Sequence, residues 1–97
     1  MDVTEFRSRF RQYRTARVLH TGIQLQLFDH IGDGATAEQI ATGAKTDPRA
    51  TEMVLNALVA LDVIEKRESR FYHTGFSRSY LPRDGESSLY HGLLHSI

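Results

Sequence analysis

Two histidines, His91 and His95, stand four positions apart in a stretch with helical periodicity, and Glu86 lies nearby. Side chains four positions apart share one face of a helix, and two imidazoles in that arrangement can bind a zinc ion. However, no glutamate directly follows His91, and the sequence supplies no third ligand at a suitable spacing. We therefore interpret both histidines as polar positions on a packing helix and predict no metal site.

The other histidines, His20, His30 and His73, are isolated, and no serine or carboxylate stands at a spacing that would mark one of them as a general base. We interpret them as surface or capping residues. The sequence has no cysteine, which excludes thiol catalysis, a disulfide framework and a zinc-thiolate site. No catalytic residue is predicted.

The glycine pair of Gly32-Asp33-Gly34 is a candidate nucleotide-binding loop. Such loops follow a strand and carry a third glycine, whereas this pair follows a helical pattern and has no third glycine at the required spacing. The segment is predicted to be a turn, and no cofactor-binding residue is predicted in this chain.

Basic residues are concentrated near the amino terminus, although the 12 basic and 12 acidic side chains of the whole chain cancel. A neutral chain has no overall field that would draw it to nucleic acid or anionic lipid, so neither is expected as a partner. We interpret the basic cluster as a solvated helix face opposite the aromatic residues of the same segment. Its members are Arg7, Arg9, Arg11, Arg14 and Arg17.

The length of 97 residues allows one domain, and 40% hydrophobic with 25% charged residues is typical of a folded globular protein. No apolar run reaches the roughly 18 residues of a membrane span, and the polar start has no signal-peptide core. We predict a cytoplasmic protein without a membrane partner.

The amino-terminal segment, from Thr4 to Ile31, has a helical pattern with two faces about 100° apart. It is predicted to form two helices or one helix that serves two surfaces. Gly22 predicts a bend or close packing in its interior. The first face carries Phe6, Phe10 and Tyr13, and the second carries Ala16, Leu19, Ile23 and Leu27.

A short second helix has a clear start signal. Thr36 and Gln39 form a capping box, the helix is predicted to run to about Ala41, and Gly43 is predicted to close it.

The third helix has the clearest signals in the chain, since Asp47 is a favourable N-cap and Pro48 suits the first turn. Its predicted inner face consists of Ala50, Met53, Val54, Ala57, Leu58 and Leu61.

Two β-prone runs, Val63 to Lys66 and Arg70 to His73, flank a short turn and predict a hairpin that serves as a wing. A short stretch then runs from Gly75 to Leu81 and is stopped by Pro82. A final helix is predicted with Ser87 or Ser88 as its cap and with an apolar face of Leu89, Leu93 and Ile97.

These elements predict a mainly α fold, a winged helix-turn-helix with a small β-hairpin and flanking N- and C-terminal helices. We expect a single domain over residues 1–97. It comprises an amino-terminal helical segment at 1–31, a winged-helix core at 36–74 and a truncated carboxy-terminal helical segment at 76–97.

Three stretches follow one another in the order of a known family: residues 25–31 (LQLFDHI), residues 36–41 (TAEQIA) and residues 47–66. With residues 71–74 and 77–81, they resemble the dimerisation domain that precedes the catalytic domain of plant-type and bacterial S-adenosylmethionine-dependent O-methyltransferases. The resemblance covers nearly everything from Ala16 to Leu81. It implies a domain that pairs two copies of a methyltransferase and helps to wall the substrate pocket.

The sequence departs from that family pattern in two ways. Asp62 stands where the family usually has glycine, at the turn after the third helix, and aspartate tolerates a left-handed backbone. Nothing downstream supplies the catalytic domain, with its glycine-rich cofactor loop and general base. The resemblance therefore implies S-adenosylmethionine for a longer parent protein, and methyl transfer is not expected from this chain alone.

The alternative interpretation is a winged-helix transcriptional regulator, whose third helix would enter the major groove of DNA. The predicted outer face of that helix has Arg49 as its single basic residue, which suits neither bases nor phosphates. A third class, a free-standing adaptor, stays open. The other predicted outer positions are Thr51, Glu52, Leu55, Asn56 and Val59.

Apolar residues near both ends of the chain predict a two-fold homodimer formed by the terminal helices rather than by the winged-helix core. The core has no evident use for these side chains, and leaving them in water favours association. An absent C-terminal methyltransferase domain is the second expected partner. The predicted interface residues are Phe6, Phe10, Tyr13, Leu89, Tyr90, Leu93, Leu94 and Ile97.

Overall fold

A computed structural model describes residues 1–84 and 88–94, and at positions 93 and 94 it describes the backbone alone. Helix α1, Val3–Gln24, begins where the Asp2 carboxylate accepts a hydrogen bond from the Glu5 amide at 2.8 Å. A 3₁₀ helix, Leu27–His30, follows. Of the two predicted alternatives, one helix that serves two surfaces therefore holds, because α1 carries both faces as far as Ile23 and only Leu27 lies in the 3₁₀ helix.

Helix α2, Ala37–Ala44, has the predicted capping box: Thr36 Oγ1 accepts from the Gln39 amide at 3.2 Å, and Gln39 Oε1 accepts from the Thr36 amide at 2.9 Å. The predicted end at Gly43 is wrong. The helix runs through Gly43 and ends at Lys45, whose φ of 60° is left-handed. A Cβ at position 43 would lie 2.5 Å from Nδ1 of His30, so a larger residue there would require the His30 ring to move.

Helix α3, Pro48–Ala60, starts as predicted, with the Asp47 carboxylate accepting from the Ala50 amide at 2.8 Å. Its predicted faces need correction. Thr51, Leu55 and Leu58, at spacings of four and three, form the buried stripe, whereas Ala50 and Met53 are exposed and Leu61 lies at the edge. Thr51 can be buried because its hydroxyl pairs with the hydroxyl of Thr46.

A three-stranded antiparallel sheet completes the winged-helix core, with β1, Ala35–Thr36, β2, Ile64–Arg67, and β3, Arg70–His73, in the order β1-β3-β2. The predicted hairpin is present, with Arg67 opposite Arg70 and two residues in the turn. Strand β1 was not predicted. It pairs Ala35 with Phe71.

Two short helices follow the sheet. Helix α4, Gly75–Tyr80, has a capping box between Thr74 and Ser77. Helix α5, Tyr90–Leu94, begins one residue after Leu89, and the Ser88 hydroxyl accepts from the Tyr90 amide at 3.0 Å. The alternative cap Ser87, together with Glu86, His95 and Ile97, lies outside the described residues.

The hydrophobic core lies between the carboxy-terminal half of α1, the 3₁₀ helix, α2, α3 and the sheet. Gly22 is buried there, and a Cβ at its position would lie 3.2 Å from the Phe28 ring and 3.3 Å from Leu58. Close packing rather than a bend therefore explains this glycine. The predicted fold class, mainly α with a small sheet, is confirmed.

Candidate interaction surface

The first half of α1 extends beyond the rest of the protein. Every residue from Met1 to Arg14 is exposed except Ser8, which is half-buried. A helix of 22 residues is about 33 Å long, and the protein measures 44 × 28 × 24 Å along its principal axes. Because its side chains are exposed, this half of α1 lacks the packing that normally stabilises a helix. An isolated helix shorter than about 12–15 residues is only marginally stable in water.

Three aromatic side chains on this half of α1 point away from the core, and we call Phe6, Phe10 and Tyr13 the aromatic stripe. They are between 51% and 59% exposed, and the rings of Phe6 and Phe10 stack with centroids 6.2 Å apart. Leu19, which packs against the core, is nine residues from Phe10 and therefore about 180° around the helix. The stripe thus faces outward, as expected of a surface for a partner.

Five exposed arginines surround the aromatic stripe, and their predicted position opposite the aromatic residues needs correction. Arg7 and Arg14 lie only about 60° and 40° around the helix from Phe10. The guanidinium of Arg17 lies over the Tyr13 ring, 6.0 Å from its centroid. The arginines therefore flank the stripe instead of occupying the other side of the helix.

A hollow of about 240 Å³ lies between the middle of α1 and the end of α3, next to the stripe. We call it the α1–α3 groove. It is lined by Arg11, Arg14, Thr15, Val18, Ala57, Ala60 and Leu61.

At the other end of the chain, Leu89 is 42% exposed, as an interface residue must be. Tyr90 differs from expectation, because it is 6% exposed and belongs to the core, with its hydroxyl accepting from Nε2 of Gln26 at 3.3 Å. Leu93 and Leu94 lie in α5, but the structure does not describe their side chains.

A second exposed aromatic pair on α4 was missed by the sequence analysis. Phe76 is 55% exposed and its ring centroid lies 5.0 Å from that of Tyr80. Their spacing of four residues indicates neighbouring side chains only if this short stretch is helical, which the sequence does not establish.

His73 takes a structural position between three elements. His73 is half-buried, with Nε2 3.2 Å from the Phe28 carbonyl oxygen and Nδ1 2.8 Å from Oγ of Ser77. Burial, and then the charge of Arg78, lower the pKa of His73. Because both ring nitrogens hold the fold together, His73 joins β3 to the 3₁₀ helix and α4.

Gly32-Asp33-Gly34 forms the predicted turn, in which the Gly34 amide donates to the Ile31 carbonyl at 3.0 Å. Across residues 1–84 and 88–94, no three histidine or carboxylate side chains are grouped so that they could bind a metal ion. None of the helices in this part of the chain is long and apolar enough to cross a membrane.

A family model described as the O-methyltransferase dimerisation domain matches residues 9–83. The chain belongs to this family. The winged-helix arrangement is therefore that of a dimerisation domain, and the alternative of a DNA-binding regulator has no support. The exposed side of α3, with Met53, Glu52 and Asn56 beside the single basic Arg49, is consistent with this outcome.

Relatives of the dimerisation domain are longer methyltransferases. The N,N-dimethyltransferase OxyT of Streptomyces rimosus is 33% identical over 70 residues, which are 71% of this chain and 20% of OxyT. The solved structure of PigF with SAH matches at 25% identity with a TM-score of 0.86, over 98% of this chain and 28% of PigF. That of CalO1, a methyltransferase in calicheamicin biosynthesis in its SAH-bound form, matches at 25% identity with a TM-score of 0.78, over 97% of this chain and 29% of CalO1. This chain thus spans between a fifth and a third of these relatives.

Proposed function

We propose that this dimerisation domain pairs two subunits of a methyltransferase through its terminal helices. The observation that carries the proposal is the aromatic stripe, which lies on a half-helix that has no packing of its own and faces away from the core. Burying a large apolar side chain contributes roughly 1.5–3 kcal/mol relative to leaving it exposed. Three such side chains therefore favour association strongly, and a closed two-fold pair is the commonest way to bury one surface on identical chains.

In this proposal, residues 1–97 form a single dimerisation domain. The interface residues lie in the segments 1–31 and 76–97, outside α4, and the winged-helix core at 36–74 fixes the direction in which α1 projects. The stripe supplies one part of the interface, and Leu89, Leu93, Leu94 and Ile97 supply the other. Tyr90 is 6% exposed and belongs to the core, so it is not an accessible part of this surface, whereas its neighbour Leu89 is exposed.

For the parent protein we propose O-methyl transfer from S-adenosylmethionine, carried out by a catalytic domain outside residues 1–97. The family to which the chain belongs and the SAH-bound relatives PigF and CalO1 support this donor. The dimerisation domain itself would position two catalytic domains and form part of the wall around the methyl acceptor. We propose the cytoplasm as its location.

The proposal is tested by light scattering of the 97-residue chain after size exclusion, at concentrations from about 10 to 500 μM. A standard-sized specific interface holds at micromolar concentrations or below. The expected result is twice the mass of the 11.0 kDa chain. A mass of one chain throughout that range would refute self-association.

A further inference from the structure

We infer that the aromatic stripe of one copy inserts into the α1–α3 groove of the second copy. The inference rests on the proposed function, since it requires that two copies associate. It goes further by naming the surface that receives the stripe. Three features of the protein support it: the shape of the groove, the unpaired charges on its edge, and the positions of groove and stripe on α1.

The groove has the size and lining to receive an aromatic ring. Its volume is about 240 Å³, and it is open to solvent, so a side chain of another molecule can enter it. Val18, Ala57 and Leu61 give it an apolar floor. Ala60 is exposed on α3 and leaves space that a larger side chain would fill.

The edge of the groove carries two guanidinium groups without a partner. Across residues 1–84 and 88–94, neither Arg11 nor Arg14 forms an ion pair or lies over an aromatic ring. An arginine over an aromatic face is a favourable pair, and Arg17 already makes this contact with Tyr13 on the same helix. Aromatic rings from a second copy would give Arg11 and Arg14 the same kind of partner.

The stripe and the groove occupy neighbouring sectors of α1, so two copies related by a two-fold axis can each insert a stripe into the other's groove. Arg14, Val18 and Arg11 lie about 40°, 80° and 100° around the helix from Phe10. Packing of stripe against stripe would leave both grooves open to water and the two guanidinium groups without rings. Reciprocal insertion buries every one of these surfaces, which favours the second copy as the occupant.

Site-specific cross-linking tests this arrangement directly, because the chain has no cysteine of its own. Phe10→Cys and Ala60→Cys variants are mixed and treated with a short bifunctional maleimide. The expected product is a mixed cross-linked pair, formed faster than in a mixture of Phe10→Cys with Ala50→Cys, which places the thiol on α3 outside the groove. Faster cross-linking of Phe10→Cys with itself would show stripe-to-stripe packing and overturn the inference while leaving the dimer intact.

A second pair of variants tests the groove without cysteine chemistry. Ala60→Trp fills the groove from an exposed position and should raise the dimer dissociation constant about tenfold or more, whereas Ala50→Trp should leave it unchanged. An unchanged constant in Ala60→Trp would overturn the inference. A chain that stays monomeric and instead binds vesicles of phosphatidylserine and phosphatidylcholine through α1 would overturn both the inference and the proposed function.

Discussion

At the scale of single residues, the tertiary structure explains residue types that the sequence alone does not. Gly43 is an example, because the sequence reads as a helix end while the structure requires space for the His30 ring. Asp62, at the turn after α3, has a left-handed φ of 62°. The tolerance of aspartate for a left-handed backbone was predicted from its short polar side chain, and the turn is formed.

Gly22→Ala should destabilise the domain by about 1–3 kcal/mol, because the new methyl group would press on Phe28 and Leu58 in the core. Helix propensity alone predicts the opposite sign, a gain of about 1 kcal/mol. Urea unfolding of Gly22→Ala and of Gly92→Ala separates the two effects, because a Cβ at Gly92 would have no atom of the described residues within 4 Å. A gain in stability for Gly22→Ala would contradict the close packing described.

The stability of the domain should fall as the pH is lowered, in part through His73. Its pKa in the folded chain is lowered from 6.5, mainly by burial, so the unfolded chain binds this proton more readily. The contribution is fully present above about pH 6.5 and is lost as the pH falls towards the lowered value. The free energy of unfolding, measured by chemical denaturation at several pH values, should depend less on pH in His73→Asn than in the wild type. An identical pH dependence in the two proteins would rule out this contribution of His73.

At the scale of elements, local signals predicted the helix starts and the hairpin, but not the parts that depend on distant residues. Thr36 with Gln39 and Asp47 with Pro48 act within one turn, so the sequence alone predicts them. Strand β1 has two residues and exists because β3 pairs with it. The buried side of α3 was misjudged because Thr51 is polar, and its partner Thr46 is identified by the fold.

The candidate interaction surface shows the same difference between features set by neighbouring residues and features set by distant ones. The aromatic stripe was predicted because its three residues are neighbours on one helix, and the structure places them together. The α1–α3 groove was not predicted, since it requires Val18 and Ala60 to be brought together by packing. The burial of Tyr90 likewise depends on Gln26, which is 64 positions away.

The first half of α1 should be protected from hydrogen exchange only when the protein is associated. Amides in this half have no packing in one copy, so they should exchange quickly at a concentration well below the dimer dissociation constant and slowly at about 500 μM. Amides around Leu55 and Leu58 on α3 are in the core and should be equally protected at both concentrations. Equal protection of α1 at the two concentrations would contradict a role for this half-helix in association.

At the scale of the whole molecule, the domain combines a packed winged-helix core with a projecting helix that carries apolar and basic groups. Five arginines and two carboxylates lie within residues 1–24, although the whole chain is neutral. A monomer would leave the projecting half of α1 without support. In the proposed dimer, pairing would give this helix a partner and set the distance between any domains attached to the two copies.

The most direct test of the account is sedimentation equilibrium of the wild-type chain beside Phe10→Glu and Phe76→Glu. Both substitutions place a carboxylate at an aromatic position of similar exposure, 51% and 55%, but Phe10 alone belongs to the aromatic stripe. The account predicts dimers for the wild type and Phe76→Glu, and a monomer with unchanged core stability for Phe10→Glu, since a charge buried in the interface lacks a partner. A Phe10→Glu variant that remains as dimeric as the wild type would contradict it.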